Sequence, residues 1–317
     1  MVRRNRNRLM RMVLTSIFVL LLCASAFAAT GCTDTNKADD VADIIEVEVV
    51  SITDSAGRTV DVMQPVNRII SLAPANTETL FELGLGDKVV GVTTYDNYPE
   101  AVERIEKVSD FIAPNIEVIT SLAPDLILAT GGVQGETIAQ LEQTGAPVLV
   151  IDPMNIDEIM DAFMMIGHAT GASSEASELV ERLKNDIAEI EEDAQSNIDD
   201  EWTGRSFLEI GTNPLFTVGG GTLLNEMLAI AGGQNVVQES GYVAYSAEQV
   251  ITDNPEFYFA TSGSGATEDE IKAREGYSGI TAVKNGNVII LDEDIVSRPG
   301  PRFVEGIRAI YDGLFRK

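Results

Sequence analysis

The residues able to carry chemistry are few, and their positions restrict what chemistry is open. The chain holds one histidine, His168, and two cysteines, Cys23 and Cys32. His168 follows Phe163, Met164, Met165 and Ile166 in an apolar helical stretch, the setting of a structural histidine rather than a lone ligand. Cys–His and Ser–His nucleophilic pairs therefore fail for want of residues. Zinc or manganese would want clustered imidazole and carboxylate ligands, which one histidine does not supply. No G-x-S-x-G elbow and no phosphate loop ending in Gly-Lys-Ser/Thr occurs. Gly219-Gly220-Gly221-Thr222 precedes a helical segment and reads as a flexible turn capped by Thr222, with anion binding as the other use. Carboxylates number 50, so a pair of them carries no signal. These residues point away from an enzyme. Two glutamates do stand out. Glu78 lies two residues after Asn76, and Glu248 two after Ser246, with Gln249 completing a capping box. Each is expected in the first turn of a helix, where the dipole is worth about 0.3–1 kcal/mol to an acid.

The elements that position these residues begin after a leader. Residues 1–31 run from a basic stretch, Met1–Arg11, into an apolar run, Met12–Ala29. They end in Ala29-Thr30-Gly31-Cys32, which resembles a lipobox with Cys32 as the lipid anchor; an uncleaved signal anchor is the alternative. Either places the remainder outside the membrane, and no later stretch is long and apolar enough to span a bilayer. The leader holds five of the 22 basic residues and no acid, so the remainder has 17 basic against 50 acidic residues, a net charge of −33. Such a surface argues against nucleic acid, whose phosphates need Lys and Arg.

Residues 32–51 read as an acidic tether and 52–154 as a first α/β lobe. That lobe opens with two short strands around a turn at 55–57. Strands follow at Arg68–Leu72, Val89–Val92, Leu126–Ala129 and Val148–Ile151, separated by helical patterns. One of these is a helix opening at its cap Asn76 and stopping at Gly84. Residues 155–200 carry no strand. They form linking helices broken between Gly167 and Gly171, the second running from Ser173 to about Ser196 with Leu179, Leu183, Ile187 and Ile190 on one face. In 201–317 the alternation resumes, with strands at Phe207–Ile210, Phe257–Ala260 and Val288–Leu291. Residues 119–131 are echoed by 251–263, each passing through a proline into an apolar strand. The expected fold is α/β: two Rossmann-like lobes with mostly parallel sheets, joined by one long rigid helix, with ligand in the cleft at the carboxyl ends of the strands.

Four motifs in order carry a family resemblance over residues 52–315: Ile70-Ser71-Leu72-Ala73-Pro74-Ala75-Asn76-Thr77-Glu78; Val90-Gly91-Val92-Thr93-Thr94-Tyr95 with Tyr98-Pro99; Leu122-Ala123-Pro124-Asp125-Leu126-Ile127; and Tyr245-Ser246-Ala247-Glu248-Gln249-Val250. The chain resembles the helical-backbone (class III) substrate-binding proteins of ABC importers for cobalamin, haem and ferric siderophores, and most closely the cobalamin-binding members. The resemblance implies capture of a corrinoid as cargo, with no cofactor, and delivery by a membrane-anchored monomer to a permease dimer. Glu78 and Glu248 would dock the two lobes on permease arginines. Tyr95, Phe111, Phe216 and Tyr242 would pack on the corrin ring, and Asp294 with Arg298 would bond its periphery. Tryptophans stand in the family where this chain has Phe111, Tyr242 and Thr130, which leaves siderophore or haem open as cargo.

Overall fold

The computed structural model describes residues 48–132 and 134–315. The leader, Cys32 and the tether as far as residue 47 lie outside them. Turn chemistry opens the fold. Asp54 Oδ1 accepts from the backbone N–H of Ala56 and Arg58 at 3.0 and 2.9 Å, and Gly57 takes φ +73°, a left-handed value that glycine adopts without strain. The hairpin so closed pairs β1 (Val49–Thr53) with β2 (Thr59–Met63) antiparallel. Its first strand starts within the expected tether.

The first lobe is a five-stranded sheet of β3 (Ile69–Ser71), β4 (Val89–Thr93), β5 (Glu106–Ser109), β6 (Leu126–Ala129) and β7 (Val148–Val150). The order is β5-β4-β3-β6-β7 and every pair is parallel. β3, β6 and β7 are buried on both faces and read as apolar runs. β5 was not foreseen. As an edge strand it exposes Glu106 and Lys107, and one apolar residue in four leaves no pattern to read. Helices α1 (Pro74–Glu82), α2 (Ile116–Ser121) and α3 (Ile138–Glu142) connect the strands.

Two helices then bridge to the second lobe. α4 (Ile156–Thr170) is capped by Asn155, whose side chain accepts from Glu158 N, and ends at Gly171 with φ +77°. α5 (Ser173–Asn197) has 25 residues, roughly 37 Å at 1.5 Å per residue. Gly167 does not break the chain. A Cβ there would sit 2.4 Å from Ala176 Cβ, so the glycine lets α4 and α5 touch.

The second sheet is mixed. β8 (Arg205–Thr212), β9 (Leu215–Val218), β11 (Tyr242–Ala244), β12 (Phe257–Thr261) and β13 (Val288–Leu291) lie in the order β11-β9-β8-β12-β13, with the short β10 (Gln234–Asn235) beside β8. β9 pairs antiparallel with both β8 and β11, and the remaining pairs are parallel. Around it lie α6 (Leu223–Ile230), α7 (Ala247–Asp253), α8 (Glu268–Ala273), α9 (Thr281–Asn285), α10 (Glu293–Val296) and α11 (Phe303–Phe315). One core cluster runs from Ile69 and Leu126 through Phe163 and Leu183 on the linking helices to Leu208, Phe259 and Ile310. The lobes therefore share apolar packing, and a wide hinge opening would expose it to water. No helix among the described residues is long and apolar enough to cross a membrane.

Candidate ligand-binding site

Between the lobes lies a cavity of about 580 Å³. Its first-lobe wall is built where chains leave strands: Ala73–Asn76 after β3, Tyr95 after β4, Asp110–Ile112 after β5, Thr130 after β6 and Ile151–Pro153 after β7. The second lobe adds Glu293, Asp294 and Ser297–Pro299 after β13. All of these are carboxyl ends of parallel strands, where an open α/β sheet leaves a crevice.

Tyr95 and Phe111 form an aromatic wall, ring centroids 6.2 Å apart and 73° between planes, an edge-to-face geometry. Tyr95 is 62% exposed, so its face is available to a flat ligand. Its turn is set by Asp96, whose Oδ2 accepts from Thr93 N and Thr93 Oγ1 at 2.8 and 2.5 Å. Burial pushes the Asp96 carboxyl above its ordinary pKa, against the lowering effect of bonds from Thr77 and Thr93. Phe111 holds φ +79°, uncommon for a bulky residue. The conformation is held from two sides. Phe111 N donates to Ser109 Oγ at 3.0 Å, and the buried Gln134 donates to Phe111 O at 2.8 Å and Leu72 O at 2.6 Å while accepting from Thr130 N at 2.9 Å. Gln134 was not singled out from the sequence, where an isolated glutamine among loop residues carries no mark.

Arg298 projects from the second lobe. Its Nη1 donates to Glu78 Oε1 at 2.9 Å and Asn97 Oδ1 at 2.8 Å. Its Nη2 lies 2.6 Å from Asp294 Oδ1 and 3.4 Å from Tyr95 O. Asn97 Nδ2 in turn donates to Asp294 Oδ2 at 2.7 Å. Arg302 donates through Nε and Nη2 to Glu78 at 2.9 and 2.8 Å, and stacks 4.1 Å over the Tyr98 ring. The Glu78 bonds hold the Arg302 pKa above its ordinary value, against burial. One first-lobe carboxylate thus ties two second-lobe guanidiniums. Gly300 lets the segments meet, since a Cβ there would be 3.2 Å from Ala75 Cα.

This corrects the expectation for Glu78. α1 begins at Pro74 with Ala73 as its cap, not at Asn76, and has no acid in its first turn. Proline at the first helical position needs no N–H partner, so the cap falls three residues earlier than expected. Glu78 then lies a turn further in, only 2% exposed, and presents no charge to an outside partner. Tyr95, Phe111, Asp294 and Arg298 come together in the cavity. Phe216 and Tyr242 do not line it. They share one face of the β9–β11 pair at the sheet edge, where Tyr242 is 67% exposed. Trp202 stacks on Phe315 at 4.5 Å and donates to Gly232 O, away from the cavity.

The periplasmic binding protein family matches residues 69–295. The chain belongs to that family. Among relatives of this periplasmic binding protein is the ABC transporter substrate-binding lipoprotein YvrC of Bacillus subtilis, 36% identical, covering 93% of this chain and 95% of that one. A possible iron-binding, periplasmic solute-binding protein of Staphylococcus epidermidis superposes with TM-score 0.72 at 33% identity, covering 80% and 100% of the two chains. The periplasmic vitamin B12-binding protein of Vibrio cholerae superposes with TM-score 0.68 at 30% identity, covering 79% and 97%.

The fold also shows a first-lobe counterpart of Glu248 in this binding protein. Ladders β3-β6-β7 and β8-β12-β13 are the same three-strand parallel unit. Before β12, Ser246 caps α7, Glu248 is its second residue, Asn254 takes φ +46°, and Pro255 leads into the strand. Before β6, Asn115 caps α2, Glu117 is its second residue, Ala123 takes φ +44°, and Pro124 leads into the strand. Glu117 and Glu248 are both exposed. The signal for Glu117 lay in the sequence echo, had it been followed back from the prolines to the caps.

Proposed function

We propose that this periplasmic binding protein is the extracytoplasmic substrate-binding lipoprotein of an ABC importer, and that its cargo is a cobalamin-type corrinoid. Anchored through Cys32, it would capture the cargo without altering it. The observation that carries the corrinoid is the cavity. An exposed Tyr95 face set against Phe111, with the Asp294–Arg298 pair across the cleft, suits a broad ring with apolar faces and a polar rim. Similarity to a vitamin B12-binding protein supports the same reading. Docking on the permease is assigned to Glu117 and Glu248, exposed charges at equivalent places on the two lobes and suited to steering and register. A ferric siderophore or haem is the second reading, favoured by the iron-binding description of one structural neighbour.

Calorimetric titration of the purified protein with cyanocobalamin tests the cargo. Binding at micromolar or tighter, about −8 kcal/mol, supports the corrinoid. Failure to bind, by protein with an intact thermal transition, passes the role to haem or a siderophore.

A further inference from the structure

The charge of the cavity wall carries an inference about the cargo's functional groups, resting on the reading that this cavity holds the cargo. The wall has four carboxylates, Asp110, Asp152, Glu293 and Asp294, and one guanidinium, Arg298. That guanidinium is already committed to Glu78, Asn97, Asp294 and the Tyr95 carbonyl. Among the described lining residues no cation is left over for an anionic ligand. The Asp110 carboxylate is held ionised, its pKa lowered by the backbone N–H groups of Ala113 and Ile112. Asn76 supplies a second and independent sign. It lines the cavity, is 3% exposed, and its Nδ2 has no hydrogen-bond partner. A buried donor without a partner is unfavourable, and turning the Asn76 amide toward the cavity would bring it to a ligand acceptor.

We propose that the cavity selects its cargo by carboxamide groups: Asn76 pairs with a ligand carboxamide, the wall carboxylates accept its N–H bonds, and a ligand carboxylate in their place is rejected. A primary carboxamide has both an acceptor oxygen and two N–H donors. It satisfies Asn76 whichever way that side chain's own amide is turned. A carboxylate only accepts, and it meets like charge on the wall. Corrinoids carry a rim of such amides, whereas haem carries two propionates.

The test uses ligands that differ only in this group, on the unmodified protein. Cyanocobalamin is titrated against each of its monocarboxylic acids, in which one peripheral amide is hydrolysed, and haem against its bis-propionamide. At least one corrinoid acid is expected to bind about tenfold or more weakly than its parent. Asp152→Asn and Glu293→Gln together should narrow that gap, and Asn76→Asp should weaken the amide parent. Acids that all bind as tightly as cyanocobalamin would overturn the amide selection while leaving the corrinoid reading standing. If haem binds and cyanocobalamin does not, the corrinoid reading falls and the haem pair decides: tighter binding of the diamide sustains the selection, and tighter binding of the diacid ends it. Binding of none of these ligands overturns both.

Discussion

Replacing Glu78 by alanine tests the junction of the lobes. The carboxylate is 2% exposed and receives bonds from Arg298 and Arg302, whose side chains are 16% and 14% exposed. Alanine leaves two guanidiniums in a largely dry contact, with Asp294, Asn97, the Tyr95 carbonyl and the Tyr98 ring as remaining partners. Removing one member of a buried ion pair typically costs about 3–5 kcal/mol, most of it from the charge left behind. A unit of this size loses about 2 °C in Tm per kcal/mol, so Glu78→Ala should melt about 6–10 °C below the parent. Differential scanning calorimetry reads the shift, with Glu117→Ala as control. Glu117 is exposed, and its loss should move Tm by about 1 °C or less. Replacing Glu78, Arg298 and Arg302 together by Leu, Met and Met should be milder than Glu78→Ala, because no guanidinium is left in the dry contact without its carboxylate, and Asp294, 31% exposed, keeps water and its bond from Asn97. A Glu78→Ala protein melting within about a degree of its parent would refute the claim that this carboxylate fastens the lobes.

Gln134→Ala orphans the Leu72 and Phe111 carbonyls and Thr130 N, so a stability loss of about 3 kcal/mol and weaker cyanocobalamin binding are expected together; a loss of neither in melting and titration would remove Gln134 from the positioning of Phe111. Two buried aspartates should act oppositely with pH. Burial raises the Asp54 carboxyl but the Arg58 and Val150 bonds outweigh it, so its pKa is lowered on folding; its stabilisation is present above the unfolded value of 3.8 and fades as pH falls through the folded one. Asp96 is raised by burial, so the folded state holds the extra proton above pH 3.8 and stability declines as pH rises through the folded value. Across melts from pH 2 to 7, Asp54→Asn should therefore lose ground to the parent as pH rises and Asp96→Asn should gain it; parallel curves would contradict both assignments. Glu117→Arg with Glu248→Arg should abolish uptake in cells carrying the cognate importer while leaving ligand affinity unchanged; unimpaired uptake would exclude the docking role.

Much of the frame was legible because its signals are local. The apolar runs at Ile69, Leu126 and Val148 are strands buried on both faces, and chain leaving them must turn at their carboxyl ends. The 25-residue α5 shows its Leu179–Leu183–Ile190 face in the sequence itself. The Ser246 capping box is observed as read. What escaped was marked by position rather than type. β5 is an edge strand with polar side chains, and Gln134 bonds three backbone groups that are separate in the chain.

The sequence by itself determined an α/β alternation, the strand-free helical stretch that links the lobes, and the aromatics Tyr95 and Phe111. Periodicity, capping and composition are properties of a few consecutive residues, so they survive without the fold. Only the tertiary structure decided the fate of the charges. Glu78 lies in the second turn of a helix that starts at Pro74, packed against the other lobe, and there it meets Arg298 and Arg302, 220 and 224 residues away. That meeting neutralised Arg298 on the cavity wall and left carboxylates without a cation among the described lining residues. Whether a charge is free or spent depends on which groups converge on it and how much water remains, and neither is written in its neighbours along the chain.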